Sequence, residues 1–142
     1  GLQKAEYEAF DPPRQRRISI AVPSKQAGFK FHTRKRHPIA KRFELARFIG
    51  DYLRYGNCEE SWLANTDLRT SRQKYQRAFA AEFLCPLSSL RAYLDDDYSE
   101  SAMEDAAEHF KVSSQTVEST LINNGLISSS QSPSYLEASL PY

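Results

Sequence analysis

The side chains best placed for chemistry are three charges on one short stretch. Glu44, Arg47 and Asp51 stand three and four residues apart within 41–53, a spacing that puts them on one face of a helix. Buried, such a cluster needs every charge paired. Exposed, each pair is worth only about 0–1 kcal/mol. Arg72 lies on a second helical stretch and can join Arg47 in receiving an anionic group. The histidines offer a different chemistry. His32 or His37 with Asp51 and Glu44 would supply nitrogen and oxygen ligands to a metal, but nothing in their spacing defines a site. His109 reads as a helix-surface residue. Cys58 and Cys85 lack the paired spacing of a zinc site.

The elements that must position these residues follow from periodicity. Ile39, Phe43, Ala46, Gly50 and Leu53 recur at helical spacing and predict an apolar stripe. Pro38 suits the first turn, and Gly56 the end. A second helix is expected over 70–85, with Tyr75, Ala78, Phe79, Ala81 and Leu84 as its buried side. Thr70 and Gln73 fit a capping box, and Pro86 stops the helix. The expected core joins Phe43, Phe79 and Leu84, with Ala46 and Ala78 between the helices.

Upstream, Ile18, Ile20 and Val22 alternate with Ser19 and Ala21, and Phe29 and Phe31 alternate with Lys30 and His32. Both runs predict strands of an antiparallel hairpin with one buried face. Trp62 and Leu63 are expected to anchor the next connection. Downstream, Leu87, Leu90 and Leu94 predict a short helix, broken at Asp95. Helices over 99–110 and 114–123 then flank a tight turn at Lys111, Val112 and Ser113. That pair resembles a helix-turn-helix, yet its second helix has no Lys or Arg and carries Glu118, a poor match to phosphates.

Two phrases carry a family resemblance. Arg42-Phe43-Glu44-Leu45-Ala46 runs into positions 47–51, and Phe79-Ala80-Ala81-Glu82-Phe83-Leu84-Cys85-Pro86 closes the second helix. They resemble the ImmA/IrrE family, zinc-dependent peptidases tied to regulatory proteins in bacteria and phages. The resemblance spans roughly 18–127. It implies a zincin-like fold, with a His-Glu-x-x-His motif directly after the first phrase. Here Arg47 and Asp51 stand in the places of the two histidines, Phe48 in that of the catalytic glutamate, and Tyr75 near that of the third ligand. A zincin needs two imidazoles one turn apart and a carboxylate to deprotonate the bound water. Arg47 cannot ligate a cation and Phe48 cannot take a proton. The Glu44–Arg47–Asp51 cluster is then a structural substitute for the metal, and the old substrate cleft is left for binding.

The expectation is an α+β protein, mainly helical, with a small antiparallel sheet and a helix-turn-helix-like pair at its C-terminal end. Residues 1–95 would form a degenerate peptidase domain, 96–127 a helical extension packed on it, and 128–142 a flexible tail. With 19 Lys and Arg against 18 Asp and Glu, net charge +1 selects no partner class. A 40% hydrophobic and 12% aromatic composition suffices for a packed core. Two cysteines make no disulfide framework, which points to a reduced, cytoplasmic setting. No apolar run approaches the ~18 residues of a membrane span, no signal peptide is visible, and a start at Gly1 suggests a fragment. Expected partners are a protein or peptide, with no cofactor; the alternatives are a zinc peptidase with unusual ligands and a regulator that grips nucleic acid. The basic run Arg34, Lys35, Arg36 and His37, with Arg14, Arg16, Arg17, Lys41 and Arg42, would carry the nucleic-acid reading.

Overall fold

The computed structural model describes residues 18–24, 28–56 and 62–129. Strand β1 (Ser19–Pro23) lies between β2 (Phe29–His32) and β3 (Leu63–Asn65), and both pairings are antiparallel. Helix α1 (Pro38–Tyr55) separates β2 from β3; α2 (Ser71–Leu84), α3 (Leu87–Leu94), α4 (Glu100–Phe110) and α5 (Ser114–Asn123) follow. The fold is α+β and mainly helical, as expected. Among the described residues no helix is long and apolar enough to cross a membrane. Of the expected tail over 128–142, residues 130–142 lie outside the described residues, as do Arg14, Arg16 and Arg17.

The helix boundaries follow local chemistry. Pro38 opens α1, and the Gly56 N–H closes it on the Tyr52 carbonyl at 2.7 Å. Ser99 and Ser113 cap α4 and α5, their hydroxyls accepting from the Ala102 and Thr116 amides. Asp95 and Asp96 take left-handed backbone and end α3. The capping box at α2 is half formed. Thr70 Oγ1 accepts from the Gln73 amide at 3.3 Å, while the Gln73 side chain turns inward instead of reaching back.

The main core is helical. Leu84, Leu90, Leu94, Met103, Val117 and Leu121 form it with Ala46 and Ala80, so α1 and α2 share one apolar interior with α3, α4 and α5. A second, smaller cluster of Ala21, Phe48 and Leu63 lies under the sheet, with half-buried Phe29 against it. Helices α1 and α2 meet closely at Gly50, where a Cβ would stand 2.6 Å from the Phe79 ring. Glycine is required there by space, not by backbone angle.

Several buried faces differ from those expected. In β1 the buried residues are Ser19 and Ala21, while Ile18 is 46% exposed. A central strand resting on the Phe48 ring has room for small side chains, and Ser19 Oγ is needed to accept from the Arg34 amide at 3.0 Å. Along α1, Ala46 and Gly50 are buried as expected, but Leu53 is 67% exposed and Glu44, Arg47 and Asp51 are buried instead. In α2 the inward residues are Gln73, Gln76, Ala80 and Leu84; Ala78 is exposed and Tyr75, Phe79 and Ala81 only half-buried. Of the expected trio only Leu84 is buried in the helical core; Phe43 packs half-buried against it, and Phe79 is not part of it. Trp62 is exposed, while Leu63 and Asn65 of β3 are buried.

Cys85, at the end of α2, is fully buried, and burial, with Glu82 nearby, pushes its thiol up to about 11 from the ordinary 9.0. The folded pKa is raised, so this contribution to stability is whole below about pH 9 and is lost as pH rises toward 11. In a Cys58→Ser variant, Cys85 is expected to react with a thiol reagent near pH 8 about a hundredfold slower when folded than in denaturant. Equal rates would place Cys85 at the surface.

Candidate functional site

Helix α1 turns three successive faces to three environments. Ala46 meets the helical core, Phe48 meets the sheet, and Arg47 with Glu44 meets β3 and α2. Arg47 is 2% exposed. Its Nη1 donates to Glu44 Oε1 at 2.9 Å. Its Nη2 reaches the Thr66 carbonyl at 2.8 Å, Gln73 Oε1 at 2.6 Å and Gln76 Oε1 at 3.2 Å. Both glutamines then donate to the Ala64 carbonyl at 3.2 Å, and Gln73 Oε1 also accepts from the Thr66 amide. Asn65 Nδ2 donates to the Glu44 carbonyl at 2.9 Å. One guanidinium thus ties α1 to β3 and α2.

Arg34 extends the network. Its two terminal nitrogens grip Asp67 at 2.6 and 2.7 Å, and Nη2 also reaches Glu44 Oε1 at 3.2 Å. The bond from Arg34 holds the Asp67 carboxyl below the usual carboxylate range. Burial lowers the Arg47 pKa; Glu44 opposes the shift, while the like charges of Arg77 and Arg34 add to it. Glu44 Oε2 and Arg47 Nε are buried without a hydrogen-bond partner.

The expected Glu44–Arg47–Asp51 cluster is formed in part. Arg47 meets Glu44 but not Asp51. Asp51 is fully buried and is held by the fork of Arg72, at 2.8 Å from Nε and 2.9 Å from Nη2. The reason is direction: Asp51, one turn beyond Arg47, faces the start of α2, where Arg72 approaches across Tyr55. Phe48 points to Ala21 and Leu63. Tyr75 lies in an aromatic run with Tyr55 and Phe79, with the Arg54 guanidinium 4.5 Å over its ring. Positions 47, 48, 51 and 75 therefore do not converge on one point.

The residues do not fit a zinc ion. Arg47 and Arg72 bring cations to these carboxylates, Asp51 is engaged on both oxygens, and Glu44 Oε1 serves two arginines. His32 is exposed on β2. Among the described residues no group of three or more His, Cys, Asp or Glu could hold a metal ion.

The basic run is also partly consumed inside the molecule. Arg34 serves Asp67 and Glu44, and Arg42 Nη1 donates to the Phe110 and Lys111 carbonyls at 2.6 and 2.9 Å. Arg42 thereby fastens the end of α4 to α1. Lys35, Arg36, His37 and Lys41 stay exposed. Sequence reasoning missed Asn65, Asp67, Gln73 and Gln76 as members of the network. The available signal was Gln73 and Gln76, two amides three residues apart on a helix that must bury that side.

Beside the network runs a groove of about 1330 Å³ between α1 and α2 on one side and α4 and α5 on the other. Glu44 and Arg47 open onto it, Ile39, Phe43 and Ala81 line its floor, and Ser113, Gln115 and Thr116 stand on the far wall. No family model, curated protein or solved structure matches the chain.

Proposed function

We propose that the chain is a catalytically impaired ImmA/IrrE-like domain, zincin-like in fold, that recognises a protein or peptide segment within a bacterial or phage-derived regulatory or defence protein. The observation that carries this reading is the buried Arg47, bonded to Glu44, Gln73 and Gln76 where the resembled family would hold its metal. A fixed guanidinium at that point closes the site to a cation and leaves the groove beside it as the usable surface. The groove exceeds the range of about 300–1,000 Å³ typical of small-molecule pockets, which favours a chain segment as occupant.

The test has two parts. Elemental analysis and melting with and without a chelator address the metal: less than stoichiometric zinc and an unchanged melting temperature are expected. Peptides selected by display against the whole protein address recognition, with amide shifts at Ala78, Ser114 and Thr116 expected on binding. Stoichiometric zinc with an earlier melt in chelator would overturn the reading.

A further inference from the structure

The walls of the groove differ in charge. Six Lys and Arg line it against four Asp and Glu. Arg34 and Arg47 are matched with Glu44 and Asp67. That leaves Lys35, Lys74, Arg77 and Lys111 facing Glu104 and Glu108. Among the described residues no carboxylate pairs with Lys74 or Arg77, which sit three residues apart on the outer turn of α2. Arg77 Nη1 makes one bond, to the Leu68 carbonyl at 3.2 Å. Its charge helps lower the Arg47 pKa, and the Arg47 Nε is buried without a hydrogen-bond partner.

The remaining lining is of two kinds. The floor is apolar, from Ile39, Phe43 and Ala81. The α5 wall is neutral and hydrogen-bonding: the hydroxyls and amides of Ser114, Gln115, Thr116, Ser119 and Asn123 line it. Such a wall suits the carbonyls and amides of a peptide main chain.

We propose that the groove binds an extended peptide segment whose acidic side chains lie on Lys74 and Arg77 and whose neighbouring apolar side chain fills the floor at Ile39 and Phe43. This deepens the recognition reading given above and rests on it. Nucleic acid is the poorer occupant. Glu104 and Glu108 stand across the groove and would repel a continuous phosphate backbone, while a peptide can turn its acids to one side only. The recognition is electrostatic at one edge and apolar at the centre, so it sets partner choice and association rate as well as affinity.

The experiment compares three labelled peptides by fluorescence anisotropy on the full chain. They share a leucine-spaced pattern and differ only in carrying Glu, Ser or Lys between the leucines; a duplex oligonucleotide serves as the fourth probe. The Glu peptide is expected to bind about tenfold or more tighter than the Ser peptide, with affinity falling as salt rises. A Lys74→Glu, Arg77→Glu variant, shown folded by circular dichroism, is expected to lose that margin and favour the Lys peptide. Equal binding of Glu and Ser peptides, or an unaltered margin in the variant, overturns the acidic assignment while leaving peptide recognition standing. Oligonucleotide binding tighter than the Glu peptide and abolished by the same variant overturns it in favour of nucleic acid. Zinc-dependent melting, measured separately, is what sinks the recognition reading itself.

Discussion

Arg47→Ala is expected to lower the unfolding free energy by about 3–5 kcal/mol, the range for breaking a buried charge network. Asp51 plays no part in that loss, since Arg72 holds it. Glu44 keeps Arg34 at 3.2 Å. The cost falls on the Thr66 carbonyl and Gln76 Oε1, which lose the Nη2 donor, and on Gln73 Oε1, which keeps only the Thr66 amide. Leaving buried acceptors unpaired costs about 1–3 kcal/mol each, and the removed stem adds a cavity. Arg47→Lys is not a rescue: an ammonium cannot place two donors in the planar fork that Glu44 and Gln73 receive. Denaturant titration of both variants with Arg47→Met separates charge from volume. A loss under about 1 kcal/mol for Arg47→Ala would mean that the guanidinium behaves as a solvent-exposed pair.

Phe48→Glu should be at least as damaging, although it restores the residue type of the resembled motif. Phe48 is 2% exposed and packs on Ala21 and Leu63. Removing a buried phenylalanine costs about 3–5 kcal/mol, and a carboxylate in its place adds a desolvation penalty. Burial raises the pKa of the new carboxyl in the folded state. Its protonated form is tolerated, so the variant should recover stability below about pH 4, where an unfolded glutamate is protonated too, and lose it as pH rises. The check is thermal melting of wild type, Phe48→Leu and Phe48→Glu near pH 4 and pH 7. A Phe48→Glu melt indistinguishable from Phe48→Leu near pH 7 would put position 48 in water and beside the polar network, against the packing described. Adding His at 47 and 51 is not expected to yield a peptidase, because positions 47 and 48 open on different surroundings.

The helices were legible in the sequence because their signals are local. Pro38, Thr70, Pro86, Ser99 and Ser113 mark boundaries through their own backbone chemistry, and each stands at or beside an observed helix end. On α4 and α5 the buried side is apolar and local pattern suffices: Met103, Ala106, Val117 and Leu121 point inward. The α1 and α2 faces were not legible. Periodicity finds apolar stripes, and here the side between the helices is charged and amidic. Glu44, Arg47 and Asp51 were readable as a cluster, but the partner of each is set by long-range packing. Asp51 finds Arg72 twenty-one residues away, and Arg34 finds Asp67 thirty-three away. The buried face of β1 was not legible for the same reason: it presents Ala21 and Ser19 inward because of what Phe48 and Arg34 bring from elsewhere.

The small size of the cluster under the sheet has a consequence for how the molecule opens. Among the described residues, three buried apolar side chains, Ala21, Phe48 and Leu63, lie under strands of five, four and three residues. The helices share a continuous interior several times larger. Local opening free energies follow such differences in buried apolar contact. The sheet is therefore the unit that detaches first in native fluctuations, and it takes with it Asn65, the Ala64 and Thr66 carbonyls and the Ser19 hydroxyl. Each opening event frees Gln73 and Gln76 from β3 and bares the Arg47 guanidinium to water. The polar network thus doubles as the latch between a labile sheet and a durable helical body, and whatever rests in the adjoining groove would hold that latch shut.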